Sequence, residues 1–122
     1  LGDVYKRQLQ IPTLHAKYLD LYNQTKLLMS KAQMELKKLE HQRWLYYSGK
    51  YVPEDEPAFE YKVIKSDVIH WVQVDEKVLK VQGKIEYYQV MLDALSEIMK
   101  QINQRNYVIR NALEWRRFTS GV

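Results

Sequence analysis

Apolar side chains recur every three or four residues along most of this chain, the spacing of helices that each bury one face. From Thr13 to Tyr47 the pattern runs without Gly or Pro, and Leu14, Tyr18, Leu21, Leu28, Ala32, Leu36, Leu39, Trp44 and Tyr47 keep it. A first helix over 13–47 is predicted, roughly 50 Å long at the standard rise. Pro12 suits its first turn, where a missing N–H costs nothing. Gly49 suits its end, because glycine takes the left-handed conformation that stops helices. "YVPEDEPAF" (51–59) then holds two prolines and three consecutive acids, which predicts a mobile loop.

The next stripe is Ile69, Val72, Val78, Val81, Ile85, Tyr88, Leu92, Leu95, Ile98 and Ile102, which predicts a second helix over 61–102. Ser66 and Asp67 are candidate caps within it. The β-branched run in 63–74 would also suit a strand. Gly83 costs about 1 kcal/mol relative to Ala inside a helix, so it marks either a close packing contact or a break. "NQRN" (103–106) reads as a turn. A third helix follows over 107–118, with Val108, Ala112, Trp115 and Phe118 as its stripe. The fold class is therefore all-α: long amphipathic helices joined by an acidic, Pro-containing loop. A 50 Å helix cannot bury its stripe in one small domain, so the helices are expected to pack as an oligomeric assembly.

"LGDVYKRQ" (1–8) has no helical period. It resembles a translated sequencing-adapter fragment, and the chain does not open with Met. Residues 1–8 are set aside as a non-native or disordered tail, with a truncated N-terminus. Residues 9–122 are expected to form a single helical domain.

The net charge is +4, unevenly placed. Residues 13–50 carry an excess of four positive charges, 51–60 an excess of four negative, and 105–122 an excess of three positive. Two basic segments around an acidic loop suit an anionic partner. Solubility alone is the plainer account of a basic protein of this size.

With no cysteine, disulfides, thiolate metal sites and cysteine nucleophiles are excluded. No apolar run reaches the length of a membrane span. His15, His41 and His70 share no ligand spacing, so no metal or other cofactor is expected. There is neither a glycine-rich phosphate loop nor a Gly-x-Ser-x-Gly turn. The carboxylates at 54–56 read as a solvated loop rather than positioned acid–base groups. An enzyme is not expected.

"QRWLYYSGKY" (42–51) gathers rings and cations at the end of the first helix. Lys37, Lys38, His41, Arg43 and Lys50 supply a basic surface, and Lys37 and His41 share a helix face. Trp44, Tyr46 and Tyr47 supply rings. Cations track phosphates while rings stack on unpaired bases, which together suit sequence-tolerant binding of single-stranded DNA. The competing structural account is also strong. Cations are favoured at any helix C-terminus, and Tyr and Trp there are commonly packing anchors. Trp44 and one tyrosine are expected to be packed, the other rings free. "EWRRF" (114–118) groups Trp115 and Phe118 with Arg116 and Arg117, near Arg110, as a protein–protein interface would.

Four segments in order resemble the UvsY family of phage recombination mediators. They are "LYYSGK" (45–50), "DEKVLKV" (75–81), "IEYYQVMLD" (85–93) and "RNYVIRNALEWRRFTSG" (105–121). The resemblance covers nearly the whole chain beyond its first dozen residues. It implies a protein without catalytic activity that binds single-stranded DNA without sequence preference. It implies a homo-oligomeric ring that helps a UvsX-type recombinase replace the phage single-strand-binding protein, in the cytoplasm of the infected bacterial host. A basic pair flanking one residue before the Tyr-Tyr turn is linked to DNA contact in the family. Arg43 matches its second member, and His41 stands at the first, where a mostly neutral imidazole supplies less charge. The family's C-terminal region is associated with oligomerisation, which maps onto Tyr107, Ile109, Leu113, Trp115 and Phe118. A structural helical assembly or adaptor protein without a specific DNA role is the alternative.

Overall fold

The computed structural model describes residues 2–120, apart from the side chains of Gln8, Leu9 and Ile11. Its helices are α1 (Gly2–Tyr47), α2 (Val68–Gln73) and α3 (Glu76–Thr119), with no strand among the described residues. The all-α expectation holds, but the boundaries differ in three places. α1 begins eleven residues before Thr13 and runs through Pro12, which therefore lies inside the helix rather than at its start. Residues 2–8, set aside above, continue α1.

The second difference lies at 61–75. Residues 61–67 are not helical. Val63 reaches the core from non-helical chain, and a turn closes from the Asp67 N–H to the Ile64 carbonyl at 2.9 Å. Helix then starts at Val68 with Asp67 in the cap position, and stops at Gln73. The third is at 103–106, where α3 does not turn but continues to Thr119. Asparagine costs a helix well under 1 kcal/mol. Ile102 and Leu113, both buried, keep the apolar spacing on either side, so packing outweighs propensity. Gly83 neither breaks α3 nor serves a close contact within the chain, since a Cβ there would meet nothing within 4 Å.

The chain divides into two compact units, and α1 and α3 each contribute to both. In the unit of residues 27–89, Val68, Val72 and Val78 form the buried centre, with Leu36, Leu39, Trp44, Tyr47 and Val63 against it. Each fully buried valine contributes about 1.5–3 kcal/mol. The unit of residues 1–26 and 90–122 buries Leu92, Ile102 and Leu113. Thr25 is buried there too, its hydroxyl donating to the Leu21 carbonyl at 2.8 Å. Much apolar surface remains outside: Leu27 and Met34 on α1, and Tyr87, Val90, Trp115 and Phe118 on α3, are exposed. No helix among the described residues is long and apolar enough to cross a membrane.

Candidate nucleic-acid interface

α1 ends where the sequence places its stop. Gly49 adopts φ +77°, the left-handed conformation. The Gly49 N–H donates to the Tyr46 carbonyl at 3.1 Å and the Lys50 N–H to the Leu45 carbonyl at 2.9 Å. This reciprocal pair satisfies carbonyls the helix would otherwise leave open. The Ser48 hydroxyl donates to the Trp44 carbonyl, closing the turn.

The rings and cations gathered here divide into two sets. Arg43 is 5% exposed and works inside the protein. Its Nη1 and Nη2 grip both carboxylate oxygens of Glu56, at 2.8 and 3.0 Å, and its Nε donates to Asp75 Oδ2 at 2.8 Å. The guanidinium also lies 4.2 Å from the Tyr46 ring centre and 5.2 Å from that of Tyr47. Tyr46 is buried, and its hydroxyl donates to the Pro57 carbonyl at 2.8 Å. In this conformation neither residue presents a free face, so the expectation of Arg43 as an open phosphate ligand and Tyr46 as a base platform gives way to an internal role. The reason is the acidic loop, whose Glu56 and Pro57 carbonyl claim both side chains.

The second set stays accessible. Lys37, Lys38, His41 and Lys50 are exposed. Trp44 is half-buried against the core, and Lys50 Nζ sits 5.1 Å from its ring centre. Tyr47 is half-buried, its hydroxyl donating to Asp75 Oδ2 at 2.6 Å.

Asp75 is the hub, and spacing alone did not single it out. It is 5% exposed and caps α3, its Oδ1 accepting the Val78 N–H at 3.1 Å. Burial alone would raise its pKa, but the Tyr47 hydroxyl, the Val78 N–H and Arg43 outweigh that and hold it below the usual value. Burial would likewise lower the pKa of Arg43, yet Glu56, Tyr47 and Asp75 push it above its ordinary value. Glu56 is depressed by hydrogen bonds from Arg43 and Lys77. Burial, helped by Asp75, raises the Tyr47 phenol.

The loop expected to be mobile is thus fastened. Lys77 pairs with both Asp55 and Glu56. Phe59 sits at the centre of an aromatic cluster, 4.8 Å from Tyr47, 5.1 Å from Trp71, 5.6 Å from Tyr61 and 5.8 Å from Tyr46. Only Glu54 and Asp55 match the expectation of solvated carboxylates; Glu56 is oriented and paired. A signal for this existed in the sequence, because "PEDEP" and "DEK" offer the carboxylates that a packed arginine requires.

The residues mapped to oligomerisation also separate. Tyr107 is exposed, as are Trp115 (65%) and Phe118 (77%), and the last two rings stack at 5.9 Å. Ile109 is half-buried. Leu113 is buried within its own unit, so it serves the core rather than an outer surface. Among the described residues no group of His, Asp or Glu is placed to hold a metal ion.

The fold is shared with known proteins. A phage T4 relative, "Recombination protein uvsY", is 27% identical over 108 residues, spanning 88% of this chain and 77% of its own. A crystal structure of the bacteriophage T4 recombination mediator protein UvsY (lattice type IV) superposes with a TM-score of 0.82 at 21% identity. It covers 96% of this chain and 86% of that one. A second, in lattice type I, gives 0.80 at 24% identity, over 97% and 88% of the two chains. The family described as "Recombination, repair and ssDNA binding protein UvsY" matches residues 2–122, and with that match spanning the helices, the Asp75 cap and the Tyr-Tyr turn, this chain belongs to the UvsY family.

Proposed function

We propose that this chain is a recombination mediator without catalytic activity. It binds single-stranded DNA without sequence preference, assembles as a homo-oligomeric ring, and promotes loading of a UvsX-type recombinase onto strands covered by single-strand-binding protein. It acts in the cytoplasm of the infected bacterial host. The observation that carries the reading is the set of exposed cations Lys37, Lys38 and Lys50, with the exposed His41, along the last turns and capped end of α1, in a family described by single-stranded DNA binding. Lys50 over the Trp44 ring holds a cation beside an aromatic face, and a ring of subunits would repeat that surface along one strand. The apolar surface left outside by both long helices supports assembly.

The same apolar surface would serve a purely structural helical assembly protein. Titrating labelled single-stranded DNA against the full chain at low and moderate salt, with duplex of equal length beside it, separates the two. A preference for the single strand that survives moderate salt supports the mediator. Equal binding to both, abolished by salt, supports the structural protein. The loading step is tested by following recombinase filament growth on a strand covered by single-strand-binding protein, with and without this chain.

A further inference from the structure

We infer that the unit of residues 1–26 and 90–122 carries a second seat for single-stranded nucleic acid, in a cleft between α1 and α3. This rests on the single-strand-binding reading above. The cleft holds about 730 Å³ and is lined by Arg7, Gln10, Gln101, Gln104 and Arg105 over a floor of Leu14, Val108 and Ile109. A smaller depression of about 230 Å³ shares Leu14, Gln101 and Arg105 with it and adds Tyr18.

The lining suits a polyanion with bases attached. Among the described residues it contains two guanidinium groups, that of Arg105 and, from the segment 1–8 set aside above, that of Arg7, and no carboxylate. Neither Arg7 nor Arg105 forms an ion pair among the described residues, so both forks are open to phosphate oxygens. Glu114, the acid of the 105–122 segment, lies instead beside Trp115 and Phe118. Three glutamine amides both donate and accept, so they can meet any base edge or phosphate without selecting a sequence. The aliphatic floor and the half-buried Tyr18 offer apolar surface to unstacked bases, which a duplex keeps hidden.

The test uses the full chain with labelled oligothymidylate, following affinity across a salt series for wild type, Arg105→Ala, Arg105→Lys, and Lys38→Ala with Lys50→Ala. Arg105 is exposed, so Arg105→Ala is expected to leave the thermal melt unchanged. It should weaken binding severalfold and make the slope of log affinity on log salt shallower by about 0.7, one phosphate contact on a single strand. Arg105→Lys should restore the slope. If Arg105→Ala keeps wild-type affinity and slope while the lysine pair loses both, the cleft is not a nucleic-acid seat and the binding function stands. If Arg105→Ala changes only the sedimenting mass, the cleft belongs to a second copy and the inference is overturned. If wild type binds no single strand, the functional reading falls and the inference with it.

Discussion

Arg43 and Asp75, thirty-two residues apart, meet through a 2.8 Å hydrogen bond that ties the end of α1 to the start of α3. Both side chains are almost fully buried, so the charges depend on each other. Removing one partner of such a pair strands the other in a poorly solvating site, at about 3–5 kcal/mol. Asp75→Ala also removes the acceptor for Tyr47 and the cap for Val78. Urea unfolding followed by circular dichroism should show Arg43→Ala and Asp75→Ala each losing stability in that range. Arg43→Lys should rescue little, because an ammonium cannot span Glu56 and Asp75 together. Wild-type stability in Arg43→Ala would return this arginine to the list of free DNA contacts.

Acid should find the same network. Asp75 and Glu56 both have folded-state pKa values below their ordinary ones. Between the folded and unfolded values the unfolded chain binds more protons, so stability rises with pH there. The contribution is present above the unfolded values, near pH 4, and is lost as pH falls through the depressed folded values. At the other end the raised Tyr47 pKa favours the neutral phenol, so its contribution holds below about pH 10 and fades above it. Thermal melts across pH should show a steep acid limb in wild type. That limb should be shallower in Asp75→Asn, and Tyr47→Phe should flatten the alkaline limb and, by removing the hydroxyl that helps hold Asp75 down, part of the acid one.

How far the sequence reached depended on the range of the interaction. Short-range features were legible: the Gly49 stop and the stripe through Val72, Val78, Val81, Leu92 and Ile102 were visible as spacing, and Asp67, one of two candidate caps, precedes α2 without a side-chain cap hydrogen bond. Long-range ones were not. Whether Arg43 faces solvent or Glu56 is decided by how the 51–67 segment folds back, and periodicity carries no information on that. Likewise "NQRN" was a locally reasonable turn that Ile102 and Leu113, packed on either side, override. Pro12 was misplaced too: α1 runs through it, although an interior proline removes one helix hydrogen bond.

Gly49 gives a cleaner local test. Its φ of +77° strains any residue with a Cβ, although the space around it is open. Gly49→Ala should cost about 1–2 kcal/mol, the penalty of a left-handed conformation. Because that turn carries Lys50, the variant should also weaken single-strand binding slightly at a temperature where it remains folded. Anisotropy and a melt on the same sample check both.

Lys38 and Lys50 separate binding from folding in a way Arg43 cannot. Both are exposed, and neither forms an ion pair among the described residues. Lys38→Ala with Lys50→Ala should leave the melt within about 0.5 kcal/mol of wild type. It should weaken binding of single-stranded DNA and make the salt slope shallower by about 1.4 if each lysine meets one phosphate. An unchanged slope would remove this surface from the DNA path.

Trp115 and Phe118 stack on one another while largely exposed to water, which an isolated chain gains little from. Burying both against a neighbour would be worth about 3–6 kcal/mol by area alone, before the cost of association. They are therefore the sharpest probe of assembly, whereas Leu113, two residues before Trp115, is a probe of folding. Sedimentation velocity on Trp115→Ala with Phe118→Ala should show a smaller species with an unchanged melt at low concentration. Leu113→Ala should instead lower the melt by about 2–5 kcal/mol, the range for a buried leucine. If the paired aromatic variant keeps an oligomeric wild-type mass, Leu27 and Met34 on α1 become the next pair to change, and a wild type that sediments as one chain overturns the proposed assembly. Because avidity along one strand depends on the number of subunits, loss of mass should also weaken binding to long oligonucleotides more than to short ones.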